Sequence, residues 1–136
     1  MRLKNIILCD AATAHPDNTF SVLRGGIDRF AIPNLGTSVK LSLIATIELD
    51  ISERGRLHNA ELSLLDMDGA RVLPPLAFNF QVPPGNIKHK HNLICDLMIK
   101  FHKFGEHCFY INVDGQELGT HSLYVVEVPV PTLPLQ

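Results

Sequence analysis

No charge of either sign dominates this chain: twelve lysines and arginines face fourteen aspartates and glutamates in 136 residues, for a net charge of −2. A balance so near neutrality leaves no electrostatic footprint for a phosphate backbone, so no nucleic-acid partner is expected. Cysteine is scarce. Cys9, Cys95 and Cys108 are widely spaced, odd in number and without a CxxC pair, which argues against a disulfide framework and against a zinc knuckle. Each lies in an apolar stretch, where a free thiol behaves as a small hydrophobe, and reduced thiols fit a cytoplasmic protein. Long hydrophobic runs are missing as well. The stretch from Ile6 to Cys9 stops at Asp10, short of the roughly 7–15 residues of a secretion signal and of the roughly 20 that span a bilayer. No membrane association is expected.

Catalytic signatures are equally absent: there is no GxSxG, no P-loop and no HExxH. His107 and Cys108 are adjacent, but neighbours on a strand point to opposite faces, which separates them as base and nucleophile. Nor does any long stretch keep a 3.6-residue period. We therefore expect no enzyme, no cofactor and almost no helix.

What is present is alternation, in a chain whose 46% apolar and 19% charged residues suit a globular core. From Val39 to Ile51 the odd positions are all apolar, while Lys40, Ser42, Thr46, Glu48 and Asp50 fill most of the even ones. This is the pattern of a half-buried strand. Leu76, Phe78, Phe80 and Val82 repeat it, as do Leu93 to Phe101, then Phe109, Ile111 and Val113, and more briefly Ala60, Leu62 and Leu64. Asp68-Gly69 and Asp114-Gly115 carry the strongest short hairpin signal. His15-Pro16-Asp17-Asn18 joins a first strand, near residues 3–14, to a second near 19–32, which Gly25-Gly26 bends. Ser52 to Arg56 forms a charged loop with at most one helical turn. Pro74-Pro75 interrupts an edge, and Pro83-Pro84-Gly85-Asn86 ends a strand.

The expected fold is all-β: a two-layer antiparallel β-sandwich of about seven or eight strands in one domain. That domain covers residues 1–128, followed by an extended proline-rich tail at 129–136.

Four constellations merit attention. His89 and His91 form an HxH pair that can offer two imidazoles to one metal, although further ligands (His102, His107, His121 or Asp96) cannot be placed from sequence. The simpler reading is a solvated strand entrance, and no metal is assigned. Lys88, Lys90, Lys100 and Lys103 similarly read either as an anion patch or as lysines guarding an open sheet edge. Asp10, Arg24, Asp28 and Arg29 form a polar cluster candidate, because a hairpin of the first two strands brings Asp10 near Leu23 and within reach of Arg24. Finally, Ile44, Ile94, Met98 and Tyr110, with Tyr124 as a further candidate, are apolar at nominally outer positions. On neighbouring strands they would make a patch for a protein partner or a second copy.

Leu8-Cys9-Asp10-Ala11-Ala12, Gly25-Gly26-Ile27-Asp28-Arg29, the Asp66–Gly69 hairpin and Val113-Asp-Gly-Gln-Glu-Leu-Gly119 together resemble a bacterial family of uncharacterised small β-sandwich proteins. Ile27 departs from that pattern, where a larger aromatic is expected. The resemblance implies an immunoglobulin-like fold and a bacterial or phage origin, and it carries over no catalytic residue. The function expected is that of a cytoplasmic interaction module. A structural part of a larger, phage-derived assembly is the first alternative, and a metal or enzymatic site at His89 and His91 the second.

Overall fold

The alternation beginning at Val39 builds β5 (Ser38–Glu48), which pairs antiparallel with β1 (Arg2–Cys9) on one side and β8 (Lys90–Lys100) on the other. The computed structural model describes residues 1–85 and 90–129. His89, Lys88, Asn86 and all of the proline-rich tail except Pro129 lie outside the described residues.

A second sheet runs in the order β4 (Arg29–Ile32), β10 (Gln116–Glu127), β9 (Gly105–Val113), β6 (Leu57–Asp66) and β7 (Leu76–Gln81). Its pairs are antiparallel except β4 with β10, which run parallel. The remaining strands, β2 (Ala11–Ala14) and β3 (Phe20–Leu23), form a two-stranded ribbon. One of the sheets is curled like a half-barrel. The protein is all-β: among the described residues the only helical segment is a 3-10 turn at Ile51–Glu53, and no helix is long and apolar enough to cross a membrane.

The two larger sheets share one apolar core. Leu41, Leu43 and Ile47 of β5 and Leu97 and Ile99 of β8 belong to the same cluster as Leu62 and Leu64 of β6 and Phe109 and Ile111 of β9. Each large side chain withdrawn from water in this way contributes about 1.5–3 kcal/mol.

Three expectations are corrected. The long strands expected near 3–14 and 19–32 each split in two, at Asp10 and between Arg24 and Asp28. There the chain leaves one sheet and enters another, so ten strands are described rather than seven or eight. The strand expected after Asp68-Gly69 shrinks to a single bridge between Leu65 and Arg71. The Val72 amide still donates to the Leu64 carbonyl, but Pro74 and Pro75 follow, and without N–H groups they cannot extend the ladder. The third correction concerns β5. Its even face holds Ser42, Ile44 and Thr46, all at most 2% exposed. Cys9 and Ile44 are fully buried yet stand outside the main core cluster. The ribbon accounts for this, because β2 packs against both β5 and β8. Its turn is tied down by Asn92, whose Nδ2 donates to the Asn18 carbonyl at 3.0 Å, and by Asn18 Nδ2, which donates to the Lys90 carbonyl at 3.2 Å. The buried polar groups are satisfied across the sheet, with Ser42 Oγ donating to Asp96 at 2.7 Å and Thr46 Oγ1 to Asn92 at 2.9 Å.

Candidate functional site

The expected apolar patch does not assemble. Ile44 lies beneath the ribbon, and its neighbour Ile94 is half-buried on the same face. Met98 is 63% exposed opposite Lys40. Tyr110 belongs to the other sheet, where it lines a shallow recess with Ser63 and Asn112. Ile44 is thus corrected from a surface to an interior residue, because a fourteen-residue excursion of the chain (residues 10–23) returns over it.

The polar cluster does form in part. The ribbon pairs Ala11 with Leu23, and the Asp10 amide donates to the Leu23 carbonyl at 3.0 Å. Arg24 then grips the Asp10 carboxylate with two donors, Nε at 2.7 Å and Nη2 at 2.9 Å. Beyond it the chain turns sharply at Gly26, whose φ of +88° few other residues adopt. Both the Gly26 and Ile27 amides donate to the Leu8 carbonyl, at 3.0 and 2.9 Å, and the Ile27 carbonyl accepts from His121 Nε2 at 3.0 Å. Asp28 and Arg29 are exposed and take no part in the Asp10–Arg24 pair.

This stitched loop leads straight into β4 and forms one wall of a groove of about 480 Å³. Arg24, Gly26, Arg29, Phe30, Ala31 and Val126 are among its lining residues, and no carboxylate lines it. β4 is an edge strand, with β10 on one side and no strand on the other among the described residues. The carbonyls of Asp28 and Ile32 accept from the Tyr124 and Val128 amides at 2.8 and 2.9 Å. Backbone groups alternate sides along a strand, so those of Arg29 and Ala31 point away from β10, toward open space. The register also sets Arg29 beside Tyr124 and Ala31 beside Val126 on one face. Tyr124 is 52% exposed.

The histidines follow a different logic. His91 stacks flat on Phe80, with ring centroids 4.5 Å apart, and burial pushes its pKa down. Among the described residues no three histidines, cysteines, aspartates or glutamates stand close enough to hold a metal ion. His107 faces the core edge-on to Phe101, while Cys108 lies on the other face of β9.

The residue missed by sequence reasoning is His58, only 2% exposed on the core face of β6. Its Nδ1 donates to the Asp114 carboxylate and its Nε2 to the Glu53 carbonyl, both at 2.6 Å. Both partners are acceptors, so this geometry favours the doubly protonated, positively charged form of the ring. Burial pulls its pKa down, but the bonds to Asp114 and Glu53 outweigh this and hold it above the ordinary histidine value. The Asn59 amide, and after it His58, hold the Asp114 carboxyl below the usual range. A histidine-aspartate pair suggests catalysis, but here the nitrogen that would meet a nucleophile is capped by a carbonyl. The pair joins the β9–β10 turn to the 3-10 turn. The available signal was spacing, since His58 precedes Ala60, Leu62 and Leu64 at the same two-residue interval.

What fold and groove define together is an all-β protein of mainly antiparallel sheets with an arginine-flanked edge at β4. The chain belongs to DUF6941, a family of unknown function, which matches residues 4–126. No curated protein matches it.

Proposed function

We propose that this protein is a non-enzymatic interaction module that receives an extended segment of a partner protein along the free edge of β4. The observation that carries the reading is the pairing of outward-pointing backbone groups at Arg29 and Ala31 with an adjoining groove. Backbone pairing supplies affinity in such strand addition, and neighbouring pockets supply specificity. Of the other edges of the two larger sheets, β7 lies between Pro74-Pro75 and Pro83-Pro84, β1 presents Arg2 and Lys4, and β8 carries Lys90 and Lys100 at its two ends. The shared core of the two larger sheets supports a sandwich of immunoglobulin-like type as the scaffold, and three free thiols support a cytoplasmic setting.

Ala31→Pro tests the reading, because the N–H it removes faces open space and the ladder to β10 is kept. Heptapeptides selected from a random display library on the full chain should bind the wild type and lose at least roughly tenfold in affinity for this variant. Circular dichroism and Tm should stay unchanged. Equal binding to both proteins, or no enrichment at all, overturns edge docking. If Ala31→Pro instead turns an oligomer into a monomer in sedimentation, the edge serves self-assembly.

A further inference from the structure

We infer that the segment received along β4 is acidic, with a carboxylate side chain seated against Arg29 and an apolar residue two positions away against Ala31 and Val126. This rests on the docking reading above and adds the chemistry of the partner.

Charge is the first argument. Arg24 and Arg29 are the charged residues that line the groove. They are not equivalent. Arg24 is already committed to Asp10 through two hydrogen bonds, whereas Arg29 makes no ion pair among the described residues. A guanidinium left in this state beside an open strand edge offers a fork of donors that fits a carboxylate. Its neighbour across the ladder is the exposed ring of Tyr124. Arginine and tyrosine are, with tryptophan, the residue types enriched among those that dominate binding energy, because each combines a large contact area with a polar end.

Spacing is the second argument. Arg29 and Ala31 point to the same face, and the register places Val126 beside Ala31. A strand added to this edge presents alternate residues to that face. The residue meeting Arg29 is therefore followed or preceded, at an interval of two, by one meeting the small apolar floor of Ala31 and Val126. The expected pattern is acidic-x-apolar or its reverse, according to the direction of the added strand.

The experiment uses the full chain and the display library already described. Enriched heptapeptides should carry an aspartate or glutamate two positions from an apolar residue. Replacing that acid by its amide should weaken binding roughly tenfold, as expected for one charge-assisted hydrogen bond. Arg29→Gln should remove the difference between acid and amide while leaving the amide peptide's affinity unchanged. Peptides without an acidic residue, or an Arg29→Gln variant that weakens acid and amide peptides alike, overturn the inference. In either of those cases a loss on Ala31→Pro would leave edge docking standing, so the two readings fail separately.

Discussion

Replacing Asp114 by asparagine isolates the charge of the buried histidine pair from everything else Asp114 does. Asp114 and Gly115 have φ of +51° and +82°, and Asn-Gly is the preferred pair for such a turn. An asparagine oxygen can also keep the 3.0 Å bond that Oδ1 accepts from the Asn59 amide. What is lost is the carboxylate facing the His58 imidazolium. A hydrogen bond to a charged group contributes about 1.5–3 kcal/mol. Asp114 is 46% exposed, and solvent screening reduces the figure to about 1–2 kcal/mol. For a domain of this size that corresponds to a fall in Tm of about 3–8 °C.

The loss should depend on pH. His58 has a raised pKa, so its contribution is fully present below the ordinary histidine value of 6.5 and fades as pH rises through the folded value. Asp114 has a lowered pKa, so its contribution is present above the ordinary carboxyl value of 3.8 and fades as pH falls through the folded value. The pair therefore works between these limits. Urea unfolding of wild type and Asp114→Asn should show the full difference near about pH 5.5 and a clearly smaller one near about pH 9. Differences of equal size at both pH values would refute a change of charge on this ring between them, and with it the pH dependence worked out here.

Ile44→Ala should cost about 2–5 kcal/mol in urea unfolding if the ribbon seals that face, and less than about 0.5 kcal/mol if the side chain met water. Thiol reactivity should rank by burial. Burial pushes the Cys95 thiol up to about 12 and raises Cys9 as well, so a disulfide reagent near about pH 8 should label half-buried Cys108 first and the other two only on unfolding. Phe109→Ala, at a fully buried position, should cost about 3–5 kcal/mol.

Much of the sheet structure was legible because the two-residue period is a local property. Leu93 to Phe101 and Phe109 to Val113 alternate as they fold, and the Asp114-Gly115 turn announces itself. The Asp10–Arg24 pair was legible too, since it follows from closing one short hairpin. Burial of the polar face of β5 was not. Ser42, Ile44 and Thr46 look like surface from their own spacing, and what covers them comes from a segment more than twenty residues earlier. The free edge at β4 was equally hidden. Arg29 read as one member of a charged cluster, because strand order is fixed by pairing with β10, some ninety residues later. His58 failed for a different reason: its role is defined by acceptors on two other loops.

The Leu8 carbonyl, by accepting from both Gly26 and Ile27, suspends the groove wall from the last residues of β1, and Asp10, two residues on, fastens the end of the covering ribbon. Cover and wall therefore share an anchor. If a segment docked against the wall quietened the ribbon, then by thermodynamic reciprocity a ribbon held shut would tighten the grip on that segment by an equal factor. Slower amide exchange across β2 and β3 on occupancy of a groove they do not line would be the visible trace of that shared fastening.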